Sequence, residues 1–202
     1  YGNASQPYAF SRRPKKALSE ARATIANCIG ATPEEIYFTS GGTEGDNWAI
    51  KGLLEPGDQK TTITTQIEHH AVLNACNMLE RLGYPVKYLP VNVLGVMLPE
   101  TLESVITSRT NLVSVMMVNN EIGTIEPIHE LATIAHTHGS LFHTDAVQAV
   151  GHIPINVREL GIDILSSSAH KFNGPKGIGF QFIRKGTKIH SYVDGGAQEF
   201  GM

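Results

Sequence analysis

Lys171 has the most distinctive chemical potential in the chain because of its sequence neighbours. Residues 162–165 form an apolar run that predicts a buried strand, and the small hydroxyl residues 166–168 end it. Enzymes of the α/β class place reactive groups just after strand ends. A lysine buried there would lose its charge readily, and its amine could attack a carbonyl carbon to form a Schiff base. A solvated loop lysine is the competing interpretation, so residues at the other strand ends decide between the two.

A glycine-rich turn follows an earlier predicted strand. Residues 36–39 predict that strand, and Ser40-Gly41-Gly42-Thr43 leads from it into a helix. The backbone N–H groups and the positive end of the helix dipole would attract an anion, and the Thr43 hydroxyl would add a donor. The alternative interpretation is a plain turn in which Thr43 is the helix N-cap.

Polar side chains also follow the strands predicted at 61–65 and 112–117. The Glu-His-His triplet at 68–70 opens a helix, where an imidazole could stack flat on an aromatic ligand or bind a metal. Adjacent histidines on a helix point in different directions, so this pair alone is a poor chelator. After the second strand, Asn119 and Asn120 either shape a turn or supply one amide to the site.

A carboxylate follows the strand predicted at 141–144. Asp145 is costly to bury without a cationic partner, and the protonated ring nitrogen of a pyridine is such a partner. Gln148 lies on the same face if a helix starts at Asp145. The rival interpretation is a metal pair of His143 with Asp145, because alternation along a strand puts both on one side. The sequence shows no third convergent ligand for that metal.

These strand ends together carry an anion cradle, a flat stacking group, a carboxylate and an amine. They correspond to the phosphate, the ring face, the ring nitrogen and the aldehyde of pyridoxal 5'-phosphate. The combination favours that cofactor, because several complementary parts at successive strand ends are harder to explain by chance than one.

The elements that must position these residues alternate between strand and helix along nearly the whole chain. This pattern predicts an α/β fold with a mostly parallel sheet of about seven strands and helices on both faces, a three-layer sandwich. The predicted strands are 36–39, 61–65, 86–91, 112–117, 141–144, 163–166 and 178–183. Helices are predicted from Pro14 to Gly30, around 48–53, and at 68–82, 99–107 and 128–138.

Composition narrows the class of protein. The 202 residues are 41% hydrophobic with a net charge of -3, which suits one globular domain. The absence of a basic run argues against nucleic-acid binding, and no apolar stretch reaches membrane-spanning length. Cys28 and Cys76 lie in helical patterns without a CxxC pair, so both are expected to be buried, reduced thiols of a cytoplasmic protein.

The quoted motifs resemble those of the cysteine desulfurases, which are fold-type I relatives of the class V aminotransferases. The matching stretches are 38–44, 68–73, 118–123, 143–148 and 169–179. The resemblance implies the large domain of a pyridoxal-phosphate-dependent transferase. It also implies conversion of L-cysteine to L-alanine, with sulfur passed to an enzyme cysteine as a persulfide for iron–sulfur cluster and thio-cofactor assembly.

The resemblance also implies roles for individual residues. Lys171 resembles the lysine that holds the cofactor and moves a proton at the substrate α-carbon. His69 resembles the histidine stacked on the ring, and Asp145 the carboxylate on its nitrogen. Lys171 and His69 are therefore the catalytic candidates, and no metal ligand is expected. The further cofactor-binding candidates are Asn120 and Gln148 near the phenolic oxygen, and Gly42, Thr43, Ser168 and His170 around the phosphate.

The chain departs from the family pattern in length. Residues 1–13 are expected to be a loop region, 14–190 the cofactor-binding domain and 191–202 the start of a connection to a small domain that is absent. That domain carries the family's sulfur-accepting cysteine and its substrate-binding arginine, and neither Cys28 nor Cys76 matches the nucleophile. The chain alone is therefore expected to bind the cofactor without transferring sulfur. The family implies a homodimer that serves an iron–sulfur scaffold or another sulfur acceptor.

Three alternatives stay open at this point. One is a selenocysteine lyase or another class V pyridoxal enzyme. The second is an inert fragment that only folds, dimerises or docks a partner. The third is a metal hydrolase built on His69, His70, His143 and Asp145.

Overall fold

Seven strands form one sheet in the computed structural model, which describes residues 2–196 and 198–202. Numbered in chain order, they are β1 Ile36–Thr39, β2 Thr61–Thr65, β3 Val86–Leu89, β4 Thr110–Ser114, β5 Leu141–Asp145, β6 Ile164–Ser168 and β7 Gly179–Ile183. Their order across the sheet is β1-β7-β6-β5-β4-β2-β3. Neighbouring strands among β2 to β6 pair in parallel, and β7 is antiparallel to β6 and β1. The predicted mostly parallel sheet is confirmed.

Five α-helices connect the strands in the described part of the chain. They are α1 Arg12–Ile29, α2 Gly42–Lys51, α3 His70–Arg81, α4 Pro99–Glu103 and α5 Ile128–Thr137. The first helix begins at Arg12 rather than at Pro14. Proline is tolerated in the first turn because the N–H group that it lacks would have no partner within the helix. The fourth ends at Glu103 and not at Thr107. Every one of these described helices is too short or too polar to cross a membrane.

Apolar side chains pack on both faces of the sheet. Val113 and Leu165 belong to one buried cluster, which also contains residues of α1, α4 and α5. Their strand neighbours Leu112 and Ile164 belong to clusters with residues of α2 and α3. Successive residues of a strand point to opposite faces, so the helices lie on both sides of the sheet. The predicted three-layer arrangement is confirmed.

The strand predicted at 112–117 differs from the observed β4, which ends at Ser114. The next residues leave β2 while staying beside β5: Val115 N donates to His143 O and Met117 N to Asp145 O. Met116 N donates to the buried carboxyl group of Glu68 instead of to a strand. The Glu68 side chain therefore takes the place of a backbone partner on β2, and β2 and β4 separate where β4 ends.

Candidate active site

A cavity of about 470 Å³ opens where several strands end. The nine candidate residues all line it: Gly42, Thr43, His69, Asn120, Asp145, Gln148, Ser168, His170 and Lys171. Parallel strands present their carboxyl ends at one edge of the sheet, and this brings together residues that are far apart in sequence. Their grouping agrees with the sequence analysis, and their individual roles stay predictions.

The glycine-rich turn forms one wall of the cavity. Gly41 has a φ of 149° and is the N-cap of α2, so Thr43 lies inside the helix and its prediction as N-cap is wrong. A Cβ at position 42 would collide with Val147, and one at position 41 would lie 3.2 Å from Ser168 Oγ. Glycine thus lets the turn approach the ends of β5 and β6 closely. The first N–H groups of α2 have no partner within the helix and remain suited to an anion.

Two further polar side chains stand beside this turn. Ser168 is the last residue of β6, and its Oγ lies 2.8 Å from Nδ1 of His170 in a hydrogen bond. The pair adds a hydroxyl and an imidazole to the backbone donors of the turn. Glu44 occupies one of those donors, because its carboxylate accepts from Ser40 N at 2.8 Å. The predicted anion cradle would therefore use the remaining backbone donors together with Ser168 and His170.

His69 is exposed at the cavity and caps α3. Its Nδ1 accepts a hydrogen bond from Ala71 N at 3.1 Å, so a ring proton must be on Nε2. The rings of His69 and His70 are nearly perpendicular, at 87° with centroids 6.3 Å apart. His70 does not line the cavity. The two histidines therefore act separately, as expected from their adjacent positions.

Asp145 is the last residue of β5 and is buried at the cavity floor. Burial raises its pKa, whereas a hydrogen bond from Val147 N and the nearby side chains of His69 and Lys171 lower it. No helix starts at Asp145, because residues 147–152 form successive turns. Gln148 nevertheless lines the cavity from one of these turns.

Lys171 ends a short 3-10 turn, Ala169–Lys171, directly after β6. Its side chain lines the cavity but is exposed, so the buried environment considered for it in the sequence is not observed. The cavity is open on this side, and solvent reaches the amine. The backbone is fixed instead, because the Lys171 carbonyl accepts a hydrogen bond from Nε2 of His152 at 2.8 Å.

The four residues of the metal interpretation do not form one ligand set, and of the four only His69 and Asp145 lie together at the cavity. His143 is fully buried, and both ring nitrogens are engaged, Nδ1 with Ser114 Oγ at 2.8 Å and Nε2 with Ser166 Oγ at 2.9 Å. Burial lowers the pKa of His143 to about 3. Since His70 also lies outside the cavity lining, His69, His70, His143 and Asp145 do not converge on one point.

The two cysteines lie away from the cavity. Cys76 is buried in α3, and burial raises its pKa to about 12. Cys28 is exposed on α1, so its predicted burial is wrong. Neither residue lines the cavity, which agrees with the expectation that neither is the sulfur-accepting nucleophile.

Two buried acids at or near the cavity are not among the nine candidate residues. Glu68 accepts hydrogen bonds from Thr65 Oγ1 at 2.7 Å and from Met116 N at 3.0 Å, yet burial raises its pKa to about 8. Asp46 lies on α2 and lines the cavity. Its spacing was an available signal, because it follows Thr43 by three residues and so lies on the same helix face.

Comparison with known proteins agrees with this geometry. Residues 1–200 match the family described as Aminotransferase class-V. A cysteine desulfurase IscS of Dictyoglomus turgidum is 54% identical over 201 residues, which cover 98% of this chain and 51% of that protein. The chain thus spans about half the length of the curated relatives it matches.

Solved structures of similar proteins agree with these sequence matches. A NifS-like protein superposes with a TM-score of 0.96 at 42% identity, over 100% of this chain and 56% of that one. A structure described as SspA in complex with cysteine has a TM-score of 0.95 at 39% identity, over 100% and 59%. Because the family match runs over nearly the whole chain and the fold agrees with these structures, the chain belongs to the class V aminotransferase family.

Proposed function

We propose that the chain is the cofactor-binding part of a pyridoxal 5'-phosphate-dependent cysteine desulfurase. The reaction would convert L-cysteine to L-alanine and pass the sulfur to an enzyme cysteine as a persulfide. One observation carries the proposal: an anion cradle, a buried carboxylate, an imidazole and a lysine line a single cavity. The relatives named as cysteine desulfurases and the related structure with bound cysteine support this substrate.

The cavity fits the cofactor on two independent features. Gly41 and Gly42 leave space where a Cβ would crowd Ser168 and Val147, so a phosphate can approach the backbone of the turn. Deeper in the cavity, Asp46 Oδ1 is buried without a hydrogen-bond partner among the described residues, as expected of a site that a polar ring completes. Enzymes of this family generally depend on pyridoxal 5'-phosphate.

Each lining residue then has a task toward the cofactor. Asp145 would accept a hydrogen bond from the ring nitrogen, and His69 would pack on the ring face. Asn120 and Gln148 would contact the phenolic oxygen. Bound there, the cofactor would supply an electron sink for the substrate α-carbon. The phosphate would be held by Gly42, Thr43, Ser168 and His170, which all line the cavity.

Lys171 has two tasks, in sequence. Its Nζ would hold the cofactor through the carbonyl carbon, with loss of water, and would be released when the amino group of L-cysteine takes its place. The freed amine takes the proton from the substrate α-carbon and later returns one. Exposure of Lys171 at the open side of the cavity is compatible with this exchange, because the incoming substrate must reach the same atom.

The sulfur acceptor is assigned to a cysteine outside these 202 residues, because Cys28 and Cys76 do not line the cavity. The chain by itself is therefore expected to bind the cofactor without completing sulfur transfer. In the whole protein we propose a cytoplasmic homodimer that delivers sulfur to an iron–sulfur scaffold or another acceptor protein. No nucleic-acid or membrane partner is proposed.

The decisive experiment is the visible absorbance spectrum of the purified protein after addition of pyridoxal 5'-phosphate. We expect a band from the lysine-bound cofactor in the parent and none in Lys171→Ala. Lys176→Ala is the matched control, because Lys176 is also exposed and lines the same cavity. An unchanged band in Lys171→Ala, or its equal loss in both variants, would contradict the assignment.

Measurement of substrate turnover distinguishes the desulfurase from the alternative functions. In a protein that includes the acceptor cysteine, the desulfurase proposal predicts alanine and persulfide from L-cysteine. Preferential turnover of L-selenocysteine would indicate a selenocysteine lyase instead. Cofactor binding without turnover of either amino acid would indicate an inert domain.

A further inference from the structure

Asp46 is a buried acid that lines the cofactor cavity, and no step of the proposed chemistry uses it. Its side chain lines the cavity, but the residue is only 1% exposed. Its Oδ1 has no hydrogen-bond partner among the residues that the structure describes. An unpaired buried oxygen costs free energy, and natural folds seldom retain one without a function.

The sequence buries Asp46 through the glycine that precedes it. A Cβ at position 45 would collide with the Gln181 side chain and lie 3.0 Å from Ser166 Oγ. Gly45 therefore lets α2 lie close against β6 and β7. This close packing brings Asp46 to the cavity floor, next to the end of β5, where Asp145 lies.

The groups around Asp46 are mostly acidic or neutral. One oxygen of Asp46, one of Asp145 and a ring nitrogen of His69 lie within 4.8 Å of one another. His143 Nε2 lies 3.7 Å from Asp46 Oδ1, but this ring is neutral near pH 7 because burial lowers its pKa to about 3. Glu68 contributes a further nearby acid. Asp46 thus has no strong cationic partner of its own.

The two aspartates differ in what stabilises their charged forms. Burial raises the pKa of Asp46 well above its usual range; Asp145 and Glu68 raise it further, and only the Ser166 hydroxyl lowers it. Asp145 instead accepts from Val147 N and faces His69 and Lys171, all of which favour its charge. Two carboxyl groups this close and this deeply buried do not both ionise near neutral pH, so they share one proton. These surroundings put the proton on Asp46.

We propose that Asp46 is a positioning residue that stays a neutral carboxylic acid beside the Asp145 carboxylate. The pair then presents a single negative charge to the ring nitrogen of the cofactor. This inference rests on the proposed function and adds a residue to the ring-nitrogen part of its site. A second negative charge there would repel Asp145, whereas the neutral acid supports it without competing for the ring nitrogen.

Neighbouring polar residues keep this arrangement in place. Hydrogen bonds with Ser114 and Ser166 hold the His143 ring, which presents Nε2 toward Asp46. A ring fixed at both nitrogens cannot turn to give Asp46 a stronger bond. Ser114, His143 and Ser166 therefore form an uncharged side of the surroundings of Asp46.

The first test needs no cofactor. An infrared difference spectrum between the parent and Asp46→Asn should show loss of the carbonyl stretch of a protonated carboxylic acid. Glu68→Gln is the matched control, because Glu68 is a second buried acid with a raised pKa and its band must be identified separately. Loss of carboxylate bands in Asp46→Asn would overturn the proposal, because Asp46 would then be the ionised group.

The second test uses pyridoxal 5'-phosphate labelled with 15N in the ring. We expect Asp46→Asn, which imitates a neutral acid, to keep the protonated-nitrogen shift and to weaken binding by less than about threefold. Asp145→Asn should lose that shift and weaken binding by about tenfold or more. Asp46→Leu should weaken binding more than Asp46→Asn, with melting temperatures measured to confirm folding.

These outcomes separate the two proposals. If Asp46→Asn behaves like Asp145→Asn, or Asp46→Leu binds like the parent, the role of Asp46 is overturned while the proposed function stands. If the parent itself gives no lysine-bound cofactor, the proposed function fails and the ring-nitrogen role with it. The infrared result still decides which carboxyl group holds the proton.

Discussion

Asn119 and Asn120 are adjacent in the chain, but their side chains serve different parts of one loop. Asn119 is buried; its Nδ2 donates to Ile67 O at 2.8 Å, and its Oδ1 accepts from Glu121 N at 2.9 Å and Ile122 N at 3.0 Å. Asn120 lines the cavity, and among the described residues its Nδ2 donates only to the neighbouring Glu121 side chain, at 2.8 Å. The first asparagine therefore fixes the loop, and the second remains available to a ligand.

Replacing each asparagine by alanine should separate the two roles. Asn119→Ala leaves the Ile67 carbonyl and two backbone N–H groups without partners, so the free energy of unfolding should fall by roughly 1–3 kcal/mol. Asn120→Ala should stay within about 0.5 kcal/mol of the parent and instead weaken binding of pyridoxal 5'-phosphate. Urea unfolding and cofactor titration measure the two effects. Equal loss of stability in both variants would contradict this division.

Glu35 joins three segments of the chain through one buried carboxylate. It accepts hydrogen bonds from Lys185 N at 2.8 Å, from Thr32 N at 3.0 Å and from the Arg158 guanidinium. Burial alone would raise the pKa of Glu35, but these bonds outweigh it and lower the pKa to about 2. Glu35→Gln should therefore lower the free energy of unfolding by roughly 1.5–3 kcal/mol at neutral pH, because a neutral amide replaces the charge-assisted bonds of the carboxylate.

The pH dependence of this effect has a definite sign. The folded pKa of about 2 is below the ordinary value of 4.5, so the carboxylate contributes its full stability above pH 4.5 and loses it as the pH falls toward 2. The difference between parent and Glu35→Gln should shrink over that interval in urea unfolding. Glu34→Gln is the control, because Glu34 is exposed and should change little at any pH. A difference that stays constant down to pH 2 would count against the mechanism.

Features that depend on local pattern were predictable from the sequence, and those that depend on distant packing were not. The strand ends carrying Asp145 and Ser168 follow from apolar runs with clear boundaries. Asp46 becomes part of the site only because Gly45 lets α2 approach Gln181 on β7, and no local pattern reveals that contact. The exposure of Lys171 depends on the open side of the cavity, which is likewise absent from local periodicity.

Glu68 should make the stability of the folded protein depend on pH in the opposite direction to Glu35. Its folded pKa of about 8 is above the ordinary value of 4.5, so the folded protein keeps a proton that the unfolded chain releases. Stability should therefore fall as the pH rises from 4.5 to 8. Glu68→Gln has no such ionisation, and the parent should lose stability relative to it by up to about 1.4 kcal/mol per pH unit. Unfolding of both proteins at pH 5, about 6.5 and 8 measures this; parallel profiles would contradict a protonated Glu68.

The close approach of Gly42 to Val147 provides a test of the proposed anion cradle. A Cβ at position 42 would collide with Val147, so Gly42→Ala must push the start of α2 away from the turn after β5. Because the cradle depends on backbone donors, this displacement should weaken binding of pyridoxal 5'-phosphate by about tenfold. Val147→Ala alone should bind like the parent, and the double variant should recover most of the affinity. Failure of the second substitution to restore binding would show that the side chain at position 42, and not the displaced backbone, blocks the phosphate.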